Sequence, residues 1–191
     1  TGSNTWLGFN AFAYTFPTVI FPLIAGVLAD RVGFLRMTRT FVLVMAVIAT
    51  LFAALTFAGL ITVEMVLVLS ALLGSAQALA TPAQLALVNS LLPKPDLAAG
   101  VALMSATFNA SRFVGPAIAG ALIIWFSIAL VLALHALAQV VFFVILLNVT
   151  TSEDAETERR PAGFLADLAE ALAYARDHGG IRFLLVLLAV T

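Results

Sequence analysis

The chain has 191 residues, of which 63% are hydrophobic and only 10% are charged, so a soluble globular protein is excluded. Its mean hydropathy of +1.13 indicates an integral membrane protein. The formal net charge of -1 does not indicate a nucleic-acid partner, and the lack of cysteine excludes disulfides and thiolate metal sites. No metal or other cofactor is expected. The sequence starts at Thr1 and ends within an apolar run, so we expect a fragment of a longer protein.

Five complete membrane spans are predicted in chain order, because about 20 apolar residues cross the roughly 30 Å hydrocarbon layer. We place them at about residues 7–29, 40–60, 65–92, 97–124 and 128–148. Pro17 and Pro22 each remove a backbone hydrogen bond and are expected to bend the first span. Pro93 and Pro95, together with two adjacent charges, end the third.

Lysine and arginine fall on one side of the membrane in this segmentation. They occur around Arg31, at Lys94 and after Asn148, whereas the opposite loops carry none. The positive-inside rule therefore places the Asp30 loop, the Lys94 loop and everything after residue 149 in the cytoplasm. Residues 1–149 are predicted to form one transmembrane bundle. Residues 150–180 are predicted to form a cytoplasmic linker with an amphipathic helix over 162–177, and residues 181–191 to start another span.

The fourth predicted span carries a polar stripe. Ser105, Asn109 and Arg112 are spaced four and three residues apart, which places them on one helix face. An arginine near mid-span costs roughly 2.5 to 3.5 kcal/mol on insertion, so Arg112 is expected to face protein or a water-filled cavity. In the alternative interpretation, Arg112 pairs with backbone carbonyls or a polar neighbour and only holds helices together. Small residues that predict close helix packing follow on the same span, at Gly115, Pro116 and Gly120.

Two other spans offer polar side chains for the same cavity. Gln77 and Gln84 lie in a stripe on the third span, and Tyr14 lies on the first. We predict that these three residues line the cavity together with the polar face of the fourth span. The alternative is that they only join helices, since polar contacts between helices in lipid contribute about 0.6 kcal/mol each.

Asp30 and Arg31 form a charge cluster between two uncharged runs at residues 1–29 and 40–63. Gly26 and Gly33 flank the cluster, and Arg36 follows it. The position of the cluster predicts a cytoplasmic hinge between the first two spans.

The segment GVLADRVG at residues 26–33 resembles the signature loop between transmembrane helices two and three of the major facilitator superfamily. The segment RFVGPAIAG at residues 112–120 resembles the helix-five pattern of its multidrug and siderophore exporter branch, which includes enterobactin-exporter-like and macrolide-efflux-like proteins. By these motifs the chain resembles the N-terminal half of such a transporter. The resemblance implies an all-α transmembrane bundle comprising helices two to six, the linker and the start of helix seven.

The resemblance also implies a function. Transporters of this kind work by alternating access, in which two helical bundles rock around a central substrate site. The implied activity is secondary active export of a small organic molecule across the inner (plasma) membrane. The implied partners are the lipid bilayer and a C-terminal bundle of the same chain. Asp30, Arg31 and Arg36 are implied to lock the cytoplasmic gate within the motif that Gly26 and Gly33 frame.

The sequence departs from the family pattern at two places. Phe34 and Leu35 occupy the positions where the family loop has a basic pair. Ser70 lies where proton-coupled antiporters of the family often carry an arginine. The sequence therefore leaves open whether transport is coupled to protons. Import of a small metabolite and a non-transporting remnant or scaffold are the alternatives. An enzyme is not expected, because the sequence shows no clustered acid/base or nucleophilic set.

Overall fold

The computed structural model describes residues 4–150. In that range the chain is helical throughout, with one 3-10 turn at Lys94–Asp96 and no strand. The six helices are α1 Asn4–Thr15, α2 Pro17–Val32, α3 Phe34–Phe57, α4 Val63–Leu91, α5 Leu97–Trp125 and α6 Ile128–Leu147. Helices α3 to α6 are each long and apolar enough to cross a membrane, and α1 with α2 supplies up to a fifth span. The predicted all-α, multi-pass architecture is confirmed.

The first predicted span is two helices instead of one. The helix breaks at Phe16, and the pair bends by 61° between Asn4–Pro22 and Ile24–Val32. Pro17 and Pro22 explain both features, because neither can donate a backbone hydrogen bond to the preceding turn. At the break, the Thr18 hydroxyl donates to the Thr15 carbonyl over 2.6 Å, which satisfies one of the freed acceptors.

The second and third spans begin earlier than the sequence predicts. Helix α3 begins at Phe34 and not near residue 40, because Gly33 alone connects it to α2. Helix α4 begins at Val63, with the Met65 N–H bonded to the Thr62 hydroxyl oxygen over 3.3 Å. Glu64 therefore lies in the first turn of α4, where the helix dipole favours a carboxylate.

The core of the bundle lies where α3 packs between α4 and α6. A cluster of buried side chains joins the three helices: Leu35, Val42, Met45, Ala76, Ala80, Leu87 and Leu146. Lipid tails are as apolar as these side chains, so close packing and not hydrophobic burial holds the helices together. The alanines of α4 allow that close approach.

Helix α5 differs from the others because none of its residues is buried. Its few contacts with the rest of residues 4–150 are mainly with α6, with α4 and with the corner that precedes it, where the Leu92 side chain lies directly against Gly100. Most of the surface of α5 is therefore uncovered within the described range.

The packing defines the two ends of the bundle. Leu35 at the start of α3, Leu87 near the end of α4 and Leu146 at the end of α6 belong to one cluster, so these termini lie at the same end. Arg31, Arg36, Arg39 and Lys94 are close in sequence to these termini. Among the arginines and lysines of residues 4–150, only Arg112 is distant in sequence from these termini. The predicted linker helix and the start of the next span lie outside the described residues.

Candidate functional site

A single residue forms the corner between α2 and α3. Gly33 has φ 91° and ψ 140°, a conformation that residues with a Cβ rarely adopt. Its N–H donates to the Ala29 carbonyl over 2.9 Å, and its carbonyl accepts from the Met37 N–H over 3.0 Å. The two helices are therefore hydrogen-bonded through the corner, which leaves no flexible loop between them.

Asp30 lies in the last turn of α2, within the helix and not in the loop that the sequence suggested. Its side chain is exposed and has no hydrogen bond or ion pair with any residue of the described range. The negative end of a helix dipole disfavours a carboxylate by roughly 0.3 to 1 kcal/mol. No contact within residues 4–150 offsets that cost.

The helix beneath Asp30 is firmly held. Ala25 and Ala29 are buried and pack with Met37 of α3 and Ala83 of α4 in one apolar cluster. Arg31 is half-buried in the same last turn, where a cation is favourable. A Cβ added at Gly26 would meet no atom within 4 Å, so packing does not require a glycine at this position.

Arg36 and Arg39 lie in the first turns of α3 and have different surroundings. The Arg36 side chain is exposed, and among residues 4–150 its guanidinium has no hydrogen bond or ion pair, including with Asp30. The structure therefore does not bring Arg36 and Asp30 together as a pair.

Arg39 binds the end of α6, a contact that no sequence pattern indicates. Its Nε donates to the Leu146 carbonyl over 2.9 Å, and its Nη2 donates to the Leu147 carbonyl over 3.3 Å and the Val149 carbonyl over 2.6 Å. Carbonyls at a helix C-terminus lack partners within the helix, and a cation there also complements the dipole. Arg39 thus fixes the end of α6 to α3. No local pattern indicates which helix an arginine of α3 will reach.

The predicted cavity residues of α1 and α4 lie on neighbouring helices. A Cβ at Gly74 of α4 would overlap the backbone carbonyl of Tyr14, so α1 and α4 approach as closely as two helices can. The Tyr14 side chain is 43% exposed. Gln77 donates through Nε2 to the Thr81 hydroxyl over 3.0 Å, and that hydroxyl donates back to the Gln77 carbonyl over 2.8 Å. Gln84 is half-buried and has no hydrogen bond within the described residues.

The polar stripe of α5 is exposed and partly bonded within its own helix. Asn109 donates through Nδ2 to the Ser105 carbonyl over 2.8 Å. The Arg112 guanidinium lies over the Phe108 ring, 5.8 Å from its centroid, which is a cation–π arrangement. No hydrogen bond joins this stripe to the glutamines of α4 in the described range. A cavity shared by α4 and α5 therefore stays a prediction.

The small-residue patch of α5 has no neighbour within residues 4–150. A Cβ added at Gly115 or Gly120 would meet nothing within 4 Å, and Pro116 is exposed. The close helix packing predicted for this patch is not made inside the described bundle. A helix outside that range is the remaining candidate for the contact.

Comparison with known proteins gives the family. The profile of a family described as transmembrane secretion effector, part of the major facilitator superfamily, matches residues 5–190. No curated protein and no solved structure gives a significant match. The matched family consists of transporters and not of enzymes. The match covers nearly the whole chain, which belongs to the transmembrane secretion effector family of the major facilitator superfamily.

Proposed function

We propose that the chain is the N-terminal half of a secondary active exporter for small organic molecules of the drug or siderophore type. The match to a secretion family over residues 5–190 is the observation that carries this proposal. Alternating access needs a second bundle, which we expect from the C-terminal half of the full-length protein. The uncovered surface of α5, including Arg112 and the Gly115 patch, is the surface that such a bundle is expected to face.

The gate is assigned to the corner between α2 and α3. Asp30 is exposed, lies at an unfavourable end of its helix and has no partner in residues 4–150. A helix N-terminus of the second bundle supplies both hydrogen-bond donors and a positive dipole for such a carboxylate. Arg31 and Gly33 complete this gate in the proposal. Formation of the contact would close the cytoplasmic side, and its loss would open it.

We assign the positively charged end of the bundle to the cytoplasm. Arg31, Arg36, Arg39 and Lys94 are grouped near that end, and the opposite corners at 58–62 and 126–127 carry no lysine or arginine. The positive-inside rule supports this orientation in the plasma membrane. The linker at 150–180 would then begin in the cytoplasm.

Efflux measurement tests the function directly. The full-length protein is expressed in cells that lack other exporters, and accumulation of an amphipathic fluorescent dye is followed with and without a proton uncoupler. Export lowers accumulation, and proton coupling makes the uncoupler abolish that difference. Higher accumulation than in control cells would indicate import instead. Unchanged accumulation across a panel of dyes and siderophores, with normal membrane insertion, would favour the non-transporting alternative.

A further inference from the structure

An apolar groove runs along the outer surface of the bundle between α3 and α6. Its volume is about 460 Å³. Its lining includes Leu43, Val47, Leu51 and Ala54 of α3 and Val140 and Phe143 of α6. Thr50 adds the only hydroxyl to the lining, and this hydroxyl donates to the Ala46 carbonyl over 2.7 Å. The groove therefore offers no unsatisfied hydrogen-bonding group to an occupant.

Arg36 lies on the same face of α3 as residues of that helix that line the groove. Arg36, Leu43, Val47 and Ala54 are spaced seven, four and seven residues apart, a spacing that keeps them on one face of an α-helix. Side chains of a helix also point towards its N-terminus, so Arg36 extends away from the groove and towards the end of the bundle. The groove thus has apolar walls with an exposed guanidinium beyond one end.

The cations near this end are not equivalent. The guanidinium of Arg39 is occupied by the carbonyls at the end of α6. The guanidinium of Arg36 is exposed and has no hydrogen bond or counter-ion in the described part of the chain. Arg36 is therefore the group that remains able to bind an anion beside the groove.

Only the near end of the groove lies within one leaflet of Arg36. The twelve residues from Leu43 to Ala54 rise about 16 Å along the helix, and Arg36 lies about 10 Å before Leu43, at the depth of the headgroups. Because half of the hydrocarbon layer is about 15 Å thick, an acyl chain that starts near Arg36 reaches Leu43 and Val47 but not Ala54. A molecule that is apolar along this part of the groove and anionic at its end fits both features.

We propose that the groove between α3 and α6 binds an anionic phospholipid, with an acyl chain along Leu43 and Val47 and the phosphate at Arg36. The site depends on the chain being in a membrane and on neither the direction of transport nor the orientation of the bundle. Such a lipid would contact α3, which carries Arg39, and α6, whose C-terminal end is bonded to Arg39.

Native mass spectrometry of the detergent-solubilised full-length protein tests the site, with phosphatidylglycerol and phosphatidylcholine of the same acyl chains added in turn. We expect phosphatidylglycerol to bind more tightly. Arg36→Gln should lower its affinity about fivefold, to near that of phosphatidylcholine, because one basic residue near a membrane surface contributes about that factor. Lys94→Gln is the matched control, since Lys94 is an exposed cation outside the groove, and it should leave the preference unchanged.

Val47→Phe tests the apolar part of the site, because a larger side chain at this exposed lining position fills the groove without entering the core. It should weaken binding of both lipids while the preference for phosphatidylglycerol persists. Thermal unfolding in detergent confirms that each variant is folded. Retention of the full preference by Arg36→Gln would overturn the headgroup assignment, and unchanged binding by Val47→Phe would overturn the acyl-chain assignment.

Discussion

Gly33 shows how one residue determines the geometry of the proposed gate. Its φ of 91° lets α3 begin directly after α2. Its N–H is bonded to Ala29 of α2, and its carbonyl is bonded to Met37 of α3. The position of Asp30 relative to α3 is therefore set by a conformation that only glycine adopts at low cost. A longer loop would leave Asp30 free to move independently of α3.

Gly33→Ala is expected to destabilise the protein by roughly 1 to 3 kcal/mol, the usual cost of a strained backbone conformation. Unfolding of the purified protein by titration with sodium dodecyl sulfate measures the change. Gly26→Ala is the matched control, because Gly26 lies within α2 with open space around it. That control should be neutral or stabilising by about 0.5 to 1 kcal/mol. Equal losses in both variants would contradict the role given to the Gly33 conformation.

Asp30→Asn is expected to slow transport about tenfold while membrane insertion stays normal, because a hydrogen bond to a charged group contributes about 1.5 to 3 kcal/mol. Initial efflux rates of the full-length protein measure the effect. Asp96→Asn removes another exposed carboxylate from the neighbouring corner at Pro93–Leu97 and should leave the rate unchanged. A normal rate in Asp30→Asn would make the charge cluster only a topological signal.

At the level of helices, two contacts fix the arrangement of the bundle. Gly74 allows α1 to lie against α4 at the Tyr14 carbonyl, two residues before the break at Phe16. Arg39 joins α3 to the end of α6 at the opposite side of the core. Each contact has a different physical basis, which is close backbone approach in the first case and satisfied carbonyls in the second.

Gly74→Ala is expected to move α1 away from α4 and to cost about 1 to 3 kcal/mol, since the added methyl group overlaps backbone that cannot rotate away. The same detergent titration measures the loss. Gly8→Ala on α1 adds the same methyl group where nothing lies within 4 Å, and it should not be destabilising. If Gly74→Ala were as stable as the parent protein, the close contact between α1 and α4 would be disproved.

Arg39→Gln is expected to free the carbonyls at the end of α6, with a loss of about 1.5 to 3 kcal/mol for hydrogen bonds to a charged group. Hydrogen exchange measured by mass spectrometry should become faster at residues 144–150, because the last turn of α6 loses its anchor. Arg36→Gln removes a neighbouring arginine that makes no such bonds and should leave this exchange unchanged. Unchanged exchange in Arg39→Gln would show that α6 is held by packing alone.

At the scale of the whole molecule, the orientation in the membrane is open to a direct test, because the chain contains no cysteine. Lys94→Cys and Leu60→Cys place single thiols at opposite ends of the bundle, in a version of the full-length protein without other cysteines. A membrane-impermeant maleimide added to intact cells should label residue 60 and not residue 94. The reverse pattern would place the charged end outside and contradict the proposed gate.

Composition and helix-breaking residues were sufficient to predict the spans. Pro93, Pro95 and the adjacent charges predicted the start of α5 at Leu97, where it begins. The start of α3 was predicted six residues late, because Arg36 and Arg39 suggested a loop where Gly33 alone makes the turn. A charge near the end of a span is compatible with either structure.

Contacts between helices could not be predicted from the sequence. The partners of Arg39 and Gly74 lie on other helices, and hydropathy does not indicate which spans become neighbours. The spacing of the polar stripe predicts that Arg112 shares one face of α5 with Ser105 and Asn109, but spacing does not identify what that face contacts. The sequence therefore predicts elements well and sites only as candidates.

The hydrogen bonds of Arg39 have a mechanical consequence for a transporter made of two halves. Val149 is held to α3, so the proposed linker to a second half would start from a fixed point beyond the end of the α6 helix. The effective concentration of one half at the other depends on the length of free chain between them. By shortening that free length and fixing where it starts, Arg39 would favour re-docking of the two halves after each opening.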